Sequence, residues 1–450
     1  MNAGKDLKNT LTKVWSKMID LNATHDVNLK SWVDSANEDS TDFPIQNLPL
    51  GIFRENKNEQ FRCGVGIGDF ILDISKAADM GLLSGVGVEA CKSATLNSFM
   101  ELGPVDWSEF RANVSALLKI GGPKDEASSC LVSMQEAEMG LPASIGDFTD
   151  FYSSINHATN VGSMFRPDNP LLPNYKYVPI AYHGRTSSIR VSGEQTIRPK
   201  GQLKPPDAEV PEFGPCKRLD YETELGIFVG SSTKLGTSLD IDEVENHIFG
   251  LCILNDWSAR DIQTWEYQPL GPFMAKNFSS IISPWVVSLE ALAPFRTKVF
   301  ERPDGDPMPL PYLNSISHQD FGGLDINIEV AVSTEKMRAS NSAPHVIGSP
   351  GFKDMYWTIF QMLTHHTSNG CSVNSGDLYG SGTVSGTTSD TYGSILEACK
   401  GGKEKIEFPG GETRTFLEDG DEVIMRAWCA GAGKARIGFG ECRSIIMPAS

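Results

Sequence analysis

Residues 222–230 read ETELGIFVG, two glutamates one residue apart running straight into an apolar stretch. Alternation before the run and continuity within it describe a β-strand that starts polar and ends buried. A second stretch, HIFGLCILNDW (247–257), is a continuous apolar run that breaks at Asn255-Asp256, as a core strand does where it emerges into a loop. ISPWVVSLEAL (282–292) has the same texture. From residue 143 onward Pro, Gly and aromatic residues are frequent and helical periodicity is scarce, which predicts a mainly β, α+β domain. Its form is a sandwich or roll with a few helices packed outside. The clearest helix is FKDMYWTIFQMLTHHTSNG (352–370), with Gly370 as its C-terminal stop.

Upstream the pattern differs. LGIFRENKNEQFRCGVGIGDFILDIS (50–75) alternates short apolar stretches with polar turns and reads as hairpins. Gly64, Gly66 and Gly68 fall inside that strand pattern with no helix after them, so they do not form a dinucleotide loop. Residues 79–141 turn helical and loopy, and a polar run, DSANEDSTDF (34–43), precedes the hairpins. The organisation expected is an extension over 1–40, a small N-terminal domain over 41–142 and a larger catalytic domain over 143–450.

A formal net charge of −18 argues against nucleic-acid and anionic-membrane partners. No stretch approaches the roughly 18 uninterrupted apolar residues of a membrane-spanning helix. The first twenty residues carry Lys5, Lys8, Lys13 and Lys17 with Leu7, Leu11, Val14 and Met18 at helical spacing. Both a transit helix and a solvated helical extension fit them, and Asp6, Asp20 and the absence of Arg favour the extension. Nine scattered cysteines without a CxxC pair read as reduced thiols of a cytoplasmic protein.

A period of two places Glu222 and Glu224 on one strand face, about 7 Å apart. Two like charges there are unfavourable unless a cation lies between them or the face is solvated. Asp256 is either a third site acid or the N-cap of a helix over SARDIQTWEY. Asp150, seven residues before His157, is a fourth acid. Carboxylates without a Cys or His cluster select Mg²⁺ and/or Ca²⁺ rather than zinc. Arg260 and Lys276 are near enough in sequence to offset the surplus negative charge. His157, in the polar segment SSINHATN, is the general-base candidate, against the plain alternative of a structural histidine. His365 and His366 sit where a helix end favours cations and read as structural. With no GxSxG elbow and no cysteine in a reactive setting, an activated water is the expected nucleophile.

These segments, together with DFTDFYSSINHATNVGSMFR (147–166), LPNYKYVPIAYHGRTSSI (172–189), RLDYETELGIFVG (218–230), NDWSARDIQTWEYQPLGPFMAKNFSSIISPWVV (255–287), MYWTIFQMLTHHTSNGC (355–371), SGTVSG (381–386) and FGEC (439–442), resemble the fumarylacetoacetase (fumarylacetoacetate hydrolase) family. FPIQNLPLGIF (43–53) and GVGIGDFILDIS (64–75) resemble its small domain. The resemblance implies an SH3-like N-terminal barrel, a mixed β-roll catalytic domain, a homodimer, and hydrolysis of 4-fumarylacetoacetate to fumarate and acetoacetate, the last step of tyrosine and phenylalanine breakdown. It implies Asp150, Glu222, Glu224 and Asp256 as metal ligands, with Lys276 and Ser280 (commonly Thr in the family) beside the metal. His157 is the implied base, oriented by Glu397. Arg260, Gln263 and Lys276 are the implied oxyanion donors. Tyr152, Arg166, Tyr182, Gln263, Tyr267 and Thr383 are the implied substrate contacts. Residues 1–40 match nothing in the family. Acylpyruvate hydrolases, related decarboxylases and a non-catalytic calcium-binding β-module are the competing readings.

Overall fold

The computed structural model describes residues 21–450. The expected helical extension over the first twenty residues lies outside them. A five-stranded antiparallel sheet forms the N-terminal domain, in spatial order Leu131–Ser133, Phe70–Asp73, Arg62–Ile67, Leu50–Arg54 and Glu138–Gly140. Gly64 sits mid-strand opposite Asp73, and a Cβ there would lie 2.3 Å from Ile71 Cγ2, so packing requires this glycine. Helix Pro104–Leu118 opens with Pro at its first turn and buries Trp107, Phe110, Val114 and Leu117 on one face. Residues just before the expected domain start pack on it: Trp32 is buried and its indole N–H donates to Leu117 O at 2.8 Å.

The larger domain holds an eight-stranded mixed sheet. Its main path runs Ala181–His183, Phe148–Phe151, Leu378–Gly380, Thr223–Val229, Ile248–Asp256, Ser280–Ile282 and Ile189–Val191. Two of its pairings are parallel, Leu378–Gly380 with Phe148–Phe151 and Ser280–Ile282 with Ile189–Val191. A five-stranded sheet built around Asn327–Ser333, Glu422–Cys429 and Ile437–Met447 packs against it. The sheet-rich α+β class expected from the sequence texture is therefore the one observed.

Every residue of Thr223–Val229 and Ile248–Asp256 is buried, and side-chain alternation shares them between two cores. Leu225, Ile227, Leu251 and Ile253 face the main core of the larger domain. Phe228, Phe249, Cys252 and Leu254 face the core shared with the N-terminal domain. Burial on both faces is why these strands read as unbroken apolar runs.

One helix differs from expectation, and another forms where none was assigned. The helix predicted over 352–370 runs only Ile359–Thr367, because a reciprocal capping box between Thr358 and Gln361 starts it late. Gly370, at φ +85°, closes the turn after it. The polar segment around His157 forms helix Ile155–Phe165, capped by Ser154, whose hydroxyl accepts the His157 backbone N–H. None of the helices among the described residues is long and apolar enough to cross a membrane.

Phe249 makes edge-to-face contacts with Phe99 and Trp107 at 5.7 and 5.3 Å. Phe249→Ala is expected to lower stability by about 3–5 kcal/mol, measured as the urea unfolding free energy.

Candidate active site

Strand register assembles the acids at one end of the large sheet. Asp150 pairs with Gly380 on one side and Tyr182 on the other. Asp256 pairs with Ser280, and its backbone N–H donates to Glu222 O at 3.2 Å. The result is four buried carboxylates, Asp150, Glu222, Glu224 and Asp256, each with an oxygen within 4.8 Å of the others. Glu222 and Glu224 are thus not a solvated strand face. Nor does Asp256 cap a helix: it ends strand Ile248–Asp256, and the next helix, Arg260–Glu266, begins after Ala259.

Like charges this close require compensation. Lys276 Nζ supplies part, bonding Glu222 Oε2 at 2.5 Å and Asp256 Oδ2 at 2.8 Å. Arg260 Nη1 lies 2.8 Å from Glu222 Oε1. Burial alone would raise the Glu222 carboxyl, but Lys276 and Arg260 outweigh it and hold it well below the usual carboxylate range. Asp150 and Glu224 go the other way: burial first, then their acidic neighbours, pushes both well above that range. Asp150 Oδ1 and Glu224 Oε1 are buried without a hydrogen-bond partner. These orphaned oxygens fit a bound cation. Gly380 leaves the room for it, since a Cβ there would stand 2.6 Å from Asp150 Oδ1 and 2.8 Å from Glu224 Oε2. An all-oxygen donor set suits a hard divalent ion.

His157, the candidate base of a polar segment, is buried. Its Nδ1 lies 2.7 Å from Glu397 Oε2, and its Nε2 lies 3.9 Å from Glu222 Oε1. Glu397 also accepts from Ser385, Ser394 and Asn160 at 2.9, 2.7 and 2.8 Å. Burial opposes its charge, yet His157 and these donors outweigh burial and keep it ionised. Helix Ile395–Ala398 carries Glu397, and an isolated bridge from Ser394 to Glu222 ties it to the acid strand.

Ser280 Oγ and Tyr182 OH donate to Asp256 at 2.9 and 3.1 Å. Gln263 Oε1 accepts from Arg260 at 3.1 Å, and Tyr267 follows one turn later, half-buried. The Tyr152 ring meets His157 edge-on at 5.4 Å. Thr383 is buried with its hydroxyl unpartnered, next to Gly382, whose N–H donates to Glu224 at 3.0 Å. Arg166 ends the His157 helix and is engaged locally, donating to Pro170 O at 3.1 Å. His365 and His366 bond Tyr312 and Thr149 respectively, consistent with structural roles.

Sequence reading missed Asp220, Gly380, Ser385, Ser394 and Asn160. Only Asp220 left a signal, since it extends the alternation of Glu222 and Glu224 backwards by one step.

Fold and site together define an enzyme class: a mixed β-roll with a buried acidic cluster beside a carboxylate-oriented histidine. Residues 46–142 match the family described as Fumarylacetoacetase N-terminal, and residues 148–446 that described as Fumarylacetoacetate (FAA) hydrolase C-terminal. The chain is 49% identical over 421 residues to the fumarylacetoacetase of Caenorhabditis elegans, covering 91% of this chain and 97% of that one. For the Dictyostelium discoideum fumarylacetoacetase the identity is 48% over 434 residues, with 94% and 98% covered. For the human fumarylacetoacetase it is 47% over 420 residues, with 92% and 97% covered. The chain belongs to the fumarylacetoacetase family.

Gly380→Ala is expected to weaken Mg²⁺ or Ca²⁺ binding roughly 10–100-fold by titration calorimetry while the circular dichroism spectrum is retained. Glu224→Gln removes a charge that burial disfavours. In chelator this variant is expected to melt above the unsubstituted protein, and added divalent ion is expected to raise its melting temperature less.

Proposed function

We propose that this protein hydrolyses a carbon–carbon bond of 4-fumarylacetoacetate, giving fumarate and acetoacetate, the last step of tyrosine and phenylalanine breakdown. The observation that carries the reading is the Glu397–His157 dyad, with one imidazole nitrogen held at 2.7 Å and the other turned toward the acid cluster. A histidine held this way keeps one tautomer and accepts a proton at the free nitrogen.

His157 Nε2 takes a proton from water as the water attacks the carbonyl on the fumaryl side. Glu397 stays ionised and stabilises the imidazolium that forms. Arg260, Lys276 and the Gln263 amide meet the oxyanion of the tetrahedral intermediate; their charges are held by Asp220, Glu222 and Asp256 and need little reorganisation. His157 then returns its proton to the departing acetoacetate carbon. Tyr152, Arg166, Tyr182, Tyr267 and Thr383 are assigned to the substrate's carboxylate and keto groups. Bound by Asp150, Glu222, Glu224 and Asp256, with Lys276 and Ser280 at its edge, Mg²⁺ or Ca²⁺ would supply positive charge to the diketone oxygens as negative charge develops there.

Catalysis is assigned to residues 143–450, with 41–142 as a supporting domain. A homodimer accords with the family resemblance and with Leu270 and Phe273, 96% and 66% exposed beside the site helix. A cytoplasmic location accords with nine unpaired thiols.

The test is spectrophotometric loss of fumarylacetoacetate by the purified protein, with and without chelator, beside acylpyruvates as competing substrates. Turnover of fumarylacetoacetate that chelator abolishes is the expected result; preference for acylpyruvates would reassign the activity. His157→Ala is expected to cut kcat about 10²–10⁴-fold with divalent binding retained; near-normal turnover by that variant would end the assignment of the base.

A further inference from the structure

Asp220, completely buried, pairs with Arg260 but has no part in binding substrate or moving a proton in the proposed chemistry. It sits on the short strand Leu219–Asp220, which pairs antiparallel with Ser258–Ala259 immediately before Arg260. Its Oδ2 accepts Arg260 Nε at 2.8 Å, and Arg260 Nη2 lies 2.8 Å from the same oxygen. That leaves Nη1 as the guanidinium nitrogen facing Glu222 and Gln263.

The same carboxylate reaches a second element. Oδ1 accepts the backbone N–H of Ile395 at 2.8 Å, and Oδ2 that of Leu396 at 3.2 Å. These are the first two residues of helix Ile395–Ala398, which carries Glu397. Oδ1 also accepts the N–H of Tyr221 at 2.8 Å, which fixes the carboxylate's own rotamer.

Arg260 and Glu397 are separated by well over a hundred residues and have no bond to each other among those described here. One carboxylate joins them. We infer that Asp220 is a positioning residue that sets the oxyanion donor Arg260 in register with the His157–Glu397 base. This inference rests on the function proposed above. The geometry serves the reaction because base and oxyanion donor must address opposite sides of one carbonyl, and an error near 1 Å in their spacing costs about 10²-fold in rate. Asp220 touches neither substrate nor reacting atoms and acts through the two groups it holds.

Asp220→Asn is close in shape and keeps one acceptor oxygen, but it presents an amide N–H₂ where an Arg260 or helix N–H must be accepted. The unsubstituted protein is first assayed on fumarylacetoacetate; if it is inactive, the functional reading fails before this one is tested. With that activity in hand, Asp220→Asn is expected to lower kcat about 10²-fold with KM and divalent affinity within about threefold. The double variant Asp220→Asn/Arg260→Lys should fall little below the worse of its two single variants, because both act on one unit. A folded Asp220→Asn protein with near-normal kcat, or multiplicative losses in the double variant, would overturn the inference. A second measurement does not depend on Asp220→Asn folding. Arg260→Ala vacates the fork that Asp220 presents, so millimolar methylguanidinium should restore kcat at least about tenfold. Absence of any rescue would overturn it as well.

Discussion

Four buried carboxylates within 4.8 Å of one another impose the constraint around which this molecule is built. Such a cluster is unfavourable unless positive charge is delivered to it. The protein delivers part of that charge with Lys276 and Arg260, both directed at Glu222. The cluster is therefore lopsided. Glu222 is held ionised by fixed partners, while Asp150 Oδ1 and Glu224 Oε1 are buried without a hydrogen-bond partner. Those two acids are the part of the cluster whose charge the protein's own cations leave uncompensated.

The same strands that carry the acids also join the domains. Thr223–Val229 and Ile248–Asp256 face the main core with one set of side chains and the N-terminal domain with the other. Phe249 packs against Phe99 and Trp107, and its strand, Ile248–Asp256, ends at Asp256. The N-terminal domain thus backs the strands that carry Glu224 and Asp256, without contributing any of the four acids.

Much of this was legible in the chain. Two-residue alternation placed Glu222 and Glu224 on one face, and the break at Asn255-Asp256 marked a strand end. Double-sided burial was visible as unbroken apolar runs, and the scarcity of helical periodicity gave the fold class. Other features were hidden because tertiary contacts decide them. The helix carrying His157 was not read from the polar stretch SSINHATN; its signals are the Ser154 cap and the three-residue spacing of Ile155, Ala158, Val161 and Met164. The start of helix Ile359–Thr367 depends on a local box that overrides a longer apolar pattern. Gly380 looks like any strand glycine until three strands are aligned. Ser385 and Asn160 acquire meaning only once Glu397 lies between them.

The acids, the base and their partners come from segments near residues 150, 180, 222, 256, 276, 380 and 397. Almost every pairing among them spans a long loop of chain, so the centre belongs to the late, high-contact-order part of folding. During synthesis the first three acid-bearing segments emerge long before Glu397 and its helix exist. A nascent or truncated chain that lacks Leu378–Gly380 has no strand to seat Asp150 beside Glu224, and its His157 lacks the carboxylate that orients it; such a chain is the kind of partly folded species that cellular quality control retains.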